Sequence, residues 1–284
     1  RSIFGFAYIY SYRDPMFGIP VSTTGNVSLP NAISTLTINP NNGKWGNSSS
    51  TQNFTQDVGT TKSIADPTRD NYAFNGWTLT GGGNFSSGSK LYTFGLSNGT
   101  LTAKWKQYTL TYDANGGTGA PSAVSGTTFT VSSTQPTKTG YSFNGWNTQS
   151  GGGGTSYIAG NTLTPGEDTT LYAQWTENTY TLTVKSSSTK YGTVSPTSAT
   201  LKYNGTKELT TTKKSVTGYT ISFNGWTKTS GILSSTANLS TTFTMGTTNA
   251  SVTANFNGTA NTYKVKFHGN NNTVIQEDSI YPCY

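Results

Sequence analysis

The stretch Phe143-Asn-Gly145-Trp146 decides the fold of this chain, because the same four residues occur three times along it. The other two copies are Phe74-Asn-Gly76-Trp77 and Phe223-Asn-Gly225-Trp226. Self-similarity at a spacing of tens of residues is the mark of a repeat architecture. We therefore expect a tandem array of modules, each built around one copy.

Two further markers recur in a fixed order around these copies. Upstream lies an alternating opening segment, which reads Leu36-Thr-Ile38, Tyr108-Thr-Leu-Thr-Tyr112, Tyr180-Thr-Leu-Thr-Val184 and Tyr263-Lys-Val-Lys-Phe267. Downstream lies a closing segment, which reads Leu101-Thr-Ala-Lys-Trp105, Leu171-Tyr-Ala-Gln-Trp175 and Val252-Thr-Ala-Asn-Phe256. Alternation with a period of two predicts strands that bury one face.

The markers divide the chain into five segments. Residues 1–34 are a non-repeat head rich in aromatic residues, residues 35–106, 107–177 and 178–258 are repeats 1, 2 and 3, and residues 259–284 are the start of a fourth repeat that is cut off. Repeat 3 is divergent, because two extra residues separate Tyr219 from Phe223. In each repeat we expect four or five strands and at most one short helix, and so a mainly β protein.

The composition excludes several classes of functional site. The 284 residues include one His and one Cys. A metal site with two or more His, a zinc ribbon, a Cys-x-x-Cys pair and a disulfide framework therefore cannot form within the chain. Charged residues make up 10% of the chain and aromatic residues 13%, enough aromatic surface for a folded protein. We predict folded modules with polar, weakly charged faces and no cofactor.

The carboxylates are scattered and do not suggest catalysis. The adjacent acidic pairs are Glu167-Asp168 and Glu277-Asp278, and adjacent residues of a strand point to opposite faces. Neither pair offers the two facing carboxyl groups of a glycosidase. Asp113 and Asn115 resemble the first ligands of a calcium loop, but no downstream acid completes it, which favours a turn. We predict no catalytic residue and no metal site, and so a protein that is not an enzyme.

The positive charge is spread thinly. The net charge is +7, and the closest run is Lys213-Lys214. Proteins that grip phosphates concentrate Lys and Arg on one face, so we expect no specific nucleic-acid partner. A weak attraction to anionic wall polymers or sugars stays open. Because no apolar stretch approaches the length of about 18 residues needed to cross a bilayer, we also predict no membrane span.

The order of markers resembles a known family. Pro136-Thr-Lys-Thr-Gly-Tyr-Ser-Phe-Asn-Gly-Trp146 reproduces the central block of the internalin-type B repeat, also called the Listeria-Bacteroides repeat. Residues 108–176 resemble that repeat closely, residues 36–106 are similar with Asp70-Asn71 at the Gly-Tyr step, and residues 180–256 resemble its divergent form. The resemblance implies small α+β, β-grasp-like modules without catalytic residues, strung in tandem in exported bacterial or archaeal surface proteins.

The aromatic residues of the markers recur at fixed positions, as anchors of a core would. A small module has little apolar surface to bury, so these side chains must fill most of its interior. The predicted structural core residues are Trp77, Trp146, Trp226, Trp105, Trp175, Phe256, Phe74, Phe143 and Phe223. Gly76, Gly145 and Gly225 would allow a bulge or a close backbone approach beside the ring. The alternative is that the repeated Trp residues form a sugar-stacking platform.

The head contains a second candidate site. If residues 3–12 form a strand, both faces of that strand are apolar enough for full burial. The residues of this possible intersubunit strand are Ile3, Phe4, Phe6, Tyr8, Ile9, Tyr10 and Tyr12. The sequence favours the last strand of an upstream domain, and the alternative is a strand that inserts into a neighbouring subunit and builds a fibre.

These observations lead to an expectation about function. We expect a non-enzymatic extracellular or cell-surface repeat protein that acts as a stalk, spacer or adhesin module. Two other hypotheses stay open, namely a structural subunit of a surface filament or virion fibre assembled by strand addition, and a set of lectin-like carbohydrate-binding modules. The expected partners are surface glycans or proteins of a host or neighbouring cell, or further copies of the chain.

Overall fold

The computed structural model of this chain describes residues 32–270 and 272–280. All regular elements in these residues are β-strands, so the prediction of a mainly β protein is confirmed. The first strand starts at Ile33, two residues before the start of repeat 1 that the sequence indicates. The possible intersubunit strand from Ile3 to Tyr12 lies outside the described residues and stays a prediction.

The strands follow the repeats. Repeat 1 contains β1 (Ile33–Asn39), β2 (Gln52–Asp57), β3 (Thr61–Ser63), β4 (Ala73–Gly81), β5 (Asn84–Ser86), β6 (Leu91–Thr93) and β7 (Gly99–Lys106). Repeat 2 contains β8 (Tyr108–Asp113), β9 (Val124–Gly126), β10 (Phe129–Thr130), β11 (Tyr141–Asn147), β12 (Ser156–Tyr157), β13 (Thr162–Leu163) and β14 (Thr169–Glu177).

Repeat 3 contains β15 (Thr179–Ser186), β16 (Gly192–Ser195), β17 (Ser198–Lys202), β18 (Thr206–Lys213), β19 (Tyr219–Lys228), β20 (Ile232–Leu233), β21 (Ser240–Thr244) and β22 (Ala250–Ala260). A hairpin of β23 (Tyr263–His268) and β24 (Val274–Ile280) follows. The expectation of four or five strands in each repeat is wrong, because additional strands of two or three residues form between the marker segments.

The main sheet has the same plan in every repeat. Its order is β2-β1-β7-β4 in repeat 1, β12-β11-β14-β8-β9 in repeat 2 and β17-β15-β22-β19 in repeat 3. The opening and closing strands of a repeat are neighbours and run parallel. Parallel neighbours need a long crossover connection, which the intervening strands supply. The β-grasp grouping stays a prediction, since none of the described residues forms a helix.

A second, smaller sheet covers the core of each repeat. Its order is β3-β6-β5 in repeat 1, β10-β13 in repeat 2 and β16-β18-β21-β20 in repeat 3. In repeat 2, Phe129 and Leu163 of the small sheet share one buried cluster with Leu110 and Leu171 of the main sheet. Repeats 1 and 3 have separate clusters of their own. Each repeat therefore buries its own core.

A glycine bulge shapes the strand that carries the Phe-Asn-Gly-Trp block. The pairing of β11 with β14 shifts register between Phe143 and Trp146, and the pairing of β19 with β22 shifts at the same place. Gly145 has φ +99°, and Gly76 and Gly225 also have positive φ, which glycine adopts without steric cost. Residues three apart in a regular strand point to opposite faces. Here the bulge places Phe143 and Trp146 on the same face, with their ring centroids 5.2 Å apart.

The junction between repeats 2 and 3 is short and hydrogen-bonded. One residue, Asn178, links β14 to β15. Its backbone N–H donates to the Gly140 carbonyl at 2.9 Å, and its side-chain oxygen accepts a hydrogen bond from Ser142 Oγ at 2.6 Å. A Cβ at Gly140 would lie 2.5 Å from Cβ of Tyr203. Glycine at this position therefore lets the two repeats approach closely.

An ion pair spans the same junction. Lys202 of repeat 3 pairs with Glu177 at the end of β14. The hydrogen bond to this carboxylate raises the pKa of Lys202 above its usual value. Both side chains are substantially exposed, so solvent screens the attraction and its effect on stability is small.

Candidate binding cleft on the second repeat

The aromatic residues of the three Phe-Asn-Gly-Trp copies are buried to different extents. Trp146 is 1% exposed and Trp226 is 3% exposed, whereas Trp77 is half-buried. The block phenylalanines Phe74, Phe143 and Phe223 are half-buried, and each meets the Trp of its own block edge to face. Trp226 Nε1 donates to a backbone carbonyl at 2.8 Å, while Nε1 of Trp77 and of Trp146 has no partner among the described residues.

The closing-strand aromatics lie at the edge of the core. Trp105, Trp175 and Phe256 are all half-buried. Trp175 is paired with Phe143 across the main sheet, with ring centroids 5.8 Å apart. Trp175 Nε1 donates to the Ala114 carbonyl at 3.0 Å, which fixes the orientation of the indole. Part of a rigidly held indole therefore stays open to solvent.

A cleft of about 550 Å³ opens beside this indole. Its apolar wall consists of Trp175, Phe143 and Tyr141, and Gly116 and Gly117 line it on another side. A Cβ at Gly117 would lie 2.6 Å from Cζ2 of Trp175, so glycine is required beneath the ring. The volume is within the range of about 300–1,000 Å³ that small-molecule sites occupy.

One lysine reaches over the cleft. Lys138 Nζ lies 4.5 Å from the ring centroid of Tyr141 and 5.9 Å from that of Trp175. A Cβ at Gly116 would be 3.3 Å from the same ammonium. A cation at this distance is attracted to the faces of aromatic rings. Among the residues that line the cleft none is acidic, so the site combines aromatic walls with a positive charge.

Hydroxyl groups form the polar rim. The backbones of Thr118 and Thr137 exchange two hydrogen bonds of 2.8 Å, and their hydroxyls are 3.3 Å apart. Both residues are exposed and line the cleft, together with Gln135. A hydroxyl can donate and accept, and the Gln amide adds one acceptor and two donors. The rim can therefore hydrogen-bond a ligand rich in hydroxyl groups.

In repeat 3, as in repeat 2, a glycine packs against the aromatic residue of the closing strand. A Cβ at Gly192 would collide with the Phe256 ring, as a Cβ at Gly117 would collide with the indole of repeat 2. The residue before this glycine is Gly116 in repeat 2 and Tyr191 in repeat 3. Repeat 3 thus has an aromatic side chain at a position where repeat 2 has none.

The Tyr191 ring is packed into its own repeat. Its centroid is 6.0 Å from that of Tyr219, and a Cβ at Gly258 would lie 2.6 Å from the ring. Lys190 Nζ lies 4.5 Å from the Tyr219 centroid and 5.5 Å from the Tyr191 centroid. Both repeats therefore hold a lysine over aromatic rings, but only repeat 3 adds a ring of its own.

The sequence predicts part of this cleft. Trp175 and Phe143 are among the predicted core residues, whereas Lys138 and the Gly116-Gly117 doublet have no predicted role in binding. The sequence does carry a signal for the doublet. When Gly116-Gly117 is aligned with Tyr191-Gly192, the second residue is Gly in both repeats, and the first is Gly in repeat 2 but Tyr in repeat 3.

Two of the acidic residues considered above, Asp113 and Asp168, accept hydrogen bonds from the backbone at a turn and at the start of a strand. Asp113 Oδ1 accepts from the backbone N–H of Asn115 at 2.7 Å, and Asn115 Nδ2 donates to the Ala173 carbonyl at 2.9 Å. Asp168 Oδ1 accepts from the backbone N–H of Thr109 at 2.8 Å. Within residues 32–270 and 272–280, no three His, Cys, Asp or Glu side chains gather to hold a metal. The same residues contain no helix with the length and apolarity to span a bilayer.

Comparison with known proteins agrees with the repeat structure. Residues 35–104 and 108–174 match the Listeria-Bacteroides repeat domain, and residues 180–260 match the divergent InlB B-repeat domain. Such repeats occur in surface proteins and are generally non-catalytic. A protein of Evansella cellulosilytica that is named as a Gly-rich membrane protein is 32% identical over 133 residues. That match covers 42% of this chain and 15% of the relative, so the chain spans a small part of its length. With three matched repeats built on one sheet plan, the chain belongs to the family of Listeria-Bacteroides and InlB-type B-repeats.

Proposed function

We propose that this chain belongs to an exported surface protein and that its repeats act as a stalk, spacer or adhesin module without enzymatic activity. The family supports this proposal, because its repeats occur in surface proteins. The name of the Evansella relative, a membrane protein, points in the same direction. The extracellular location is part of the proposal.

The observation that carries the proposal is the junction between repeats 2 and 3. Gly/Ser-rich linkers behave as flexible coils and leave neighbouring modules free to reorient. Here a single residue, Asn178, links the two main sheets and is hydrogen-bonded on both its backbone and its side chain. Two modules joined in this way keep a fixed spacing and orientation, which is what a spacer requires.

A second candidate function, carbohydrate binding in the manner of a lectin, is favoured by the cleft of repeat 2. Its half-exposed indole and hydroxyl rim suit the two kinds of surface on a sugar ring. The partners we propose are accordingly glycans or proteins on the surface of a host or neighbouring cell, or further copies of the chain.

Surface display can be tested with antibodies raised against the folded chain. Intact cells of the source should be labelled without permeabilisation, and protease treatment of intact cells should remove the label. Labelling that needs permeabilisation would refute the proposed location. Labelling along regular filaments or on virions would replace the stalk with a structural subunit.

The junction can be tested with a pair of spin labels on the full chain. We would label Thr134→Cys and Lys213→Cys in a Cys283→Ser background and measure the distance distribution by pulsed electron spin resonance. A narrow distribution is expected. Gly140→Ala should broaden it, because the new Cβ meets the ring of the next repeat. Gly160→Ala is the matched control, since its φ is also positive but no atom lies within 4 Å of the new Cβ. Equal broadening in both variants would contradict the spacer mechanism.

A further inference from the structure

We propose that the cleft beside Trp175 binds a uronic-acid polysaccharide. In this proposal a sugar ring stacks on the aromatic wall, its hydroxyls bond the threonine rim, and its carboxylate pairs with Lys138. The inference deepens the proposed function, on which it rests, because it names the partner of an adhesive repeat array and the repeat that holds it.

The first argument is a comparison with repeat 3, in which Tyr191 supplies an aromatic ring. Tyr191 packs beside Tyr219, next to the lysine that lies over both rings. Repeat 2 has Gly116 at the position of Tyr191, and its cleft is open. Without a side chain at Gly116, repeat 2 has room beside Trp175 for a ring from another molecule. That ring would not take the same position as Tyr191, because Glu177 stands at the register position of Gly258.

The second argument is electrostatic. Lys138 makes cation–π contacts with two rings and no ion pair with a carboxylate in the part of the chain that the structure describes. No acidic residue lines the cleft, and the chain as a whole has a net charge of +7. The nearby carboxylate of Glu177 accepts a hydrogen bond from the Tyr141 hydroxyl at 3.4 Å and is paired with Lys202. A ligand carboxylate would therefore meet an ammonium that has no ion-pair partner, and the overall charge would increase the rate at which acidic polymers arrive.

The third argument selects among anionic ligands. A phosphate polymer could use Lys138 but would not use the indole face. An acidic peptide with an aromatic side chain could fill the cleft but would leave the hydroxyls of Thr118 and Thr137 to water. A uronate ring has apolar C–H faces, several hydroxyls and one carboxylate, so it uses all three features of the site.

The test uses the full chain and a tetramer of galacturonic acid, with binding measured by titration calorimetry. We expect the acid to bind at least ten times more tightly than its methyl ester, which keeps the rings and removes the charge. Lys138→Gln should weaken binding of the acid at least tenfold and leave the thermal melt unchanged. Lys190→Gln in repeat 3 is the matched control, because that lysine also lies over two rings, one of which is the Tyr191 ring that repeat 2 lacks. This variant should bind as the wild type does.

A second measurement locates the ligand. The six Trp residues give separate indole N–H signals in an NMR spectrum, and the Trp175 signal should move on titration while that of Trp146 stays. Trp175→Phe should weaken binding several-fold, since Phe keeps a ring but offers less surface to stack on.

Four results would overturn this inference. They are absence of binding by the acid, equal binding of acid and ester, equal loss in the Lys138 and Lys190 variants, and equal competition by polyglutamate or polyphosphate. None of these results touches the antibody test of surface display. Conversely, binding of the acid by a chain that is found inside cells would refute the proposed function and leave the cleft assignment standing.

Discussion

Replacement of Trp146 by alanine should destabilise repeat 2 and leave the stability of repeats 1 and 3 unchanged. The indole is 1% exposed, and its ring centroid lies 4.9 Å from Tyr112 and 5.2 Å from Phe143. Truncating a buried Trp to Ala costs about 3–5 kcal/mol. Domains have stabilities of about 0.05–0.15 kcal/mol per residue, so a repeat of this size has about 4–11 kcal/mol to lose. Because Nε1 has no partner, the loss is one of packing and not of a hydrogen bond.

Hydrogen exchange read by mass spectrometry resolves the three repeats in one experiment. Amides of β8, β11 and β14 should lose protection at a lower urea concentration in the variant, by an amount that corresponds to about 3–5 kcal/mol. Amides of repeats 1 and 3 should keep their wild-type midpoints, because each repeat has its own core. Ile158→Ala is the control within repeat 2, since Ile158 is 65% exposed and its truncation should have little effect.

The reciprocal variant, Trp226→Ala, should move the loss to repeat 3. Simultaneous loss of protection in all three repeats would refute the reasoning, because it would mean that the repeats unfold as one unit. Unchanged protection in repeat 2 would refute it in another way, since the indole would then not anchor the core.

Three further predictions concern the backbone and buried polar groups. Gly145→Ala should cost about 1–3 kcal/mol in urea denaturation, because φ is +99° and the new Cβ would lie 3.0 Å from the Tyr157 carbonyl oxygen. Tyr92→Phe removes a phenol that donates to the Gly82 carbonyl at 2.8 Å and whose burial raises its pKa. Since the folded state then favours the neutral phenol, the wild type should melt above the variant below pH 10.0, the usual pKa, and lose this advantage as the pH rises through the folded-state pKa. Asn147→Ala should cost about 1–3 kcal/mol and speed amide exchange in the glycine-rich loop after β11, because this buried amide bonds five groups of that loop and the following strand.

The strands that carry the markers could be predicted because their pattern is local. The alternation of Leu36 and Ile38 with Thr appears in the structure as a strand that buries every second residue. The bulge at Gly145 was also expected, since a conformation with positive φ has a sequence signature in glycine. The pairing of the short strands had no such signature. β10 and β13 pair Phe129 with Leu163. These segments are far apart in the chain, and neither contains a periodic pattern of apolar residues from which their pairing could be predicted.

The cleft was harder to predict than the core for the same reason. Its three parts are the Gly116-Gly117 turn, the segment around Lys138 and the end of β14, and only the folded repeat brings them together. Alternation places Trp175 on the same face as Leu171 and Ala173, but it does not give the depth at which each side chain lies. Depth depends on what covers the sheet. Leu171 lies in the buried cluster with Phe129 and Leu163 of the small sheet, whereas Trp175 packs against that cluster and is only half-buried.

The parallel pairing of opening and closing strands determines how a repeat bears mechanical tension. The chain enters repeat 2 at the start of β8 and leaves it at the end of β14, so a pull on the two ends slides these neighbours past each other. The hydrogen bonds between them are then loaded together in shear and not broken one after another. In repeat 3 the paired segment runs from Leu182 to Ser186, one residue longer than the segment from Leu110 to Asp113 in repeat 2. The paired segment of repeat 1, from Leu36 to Asn39, is as short as that of repeat 2, so an array stretched from its ends should extend in repeats 1 and 2 before repeat 3.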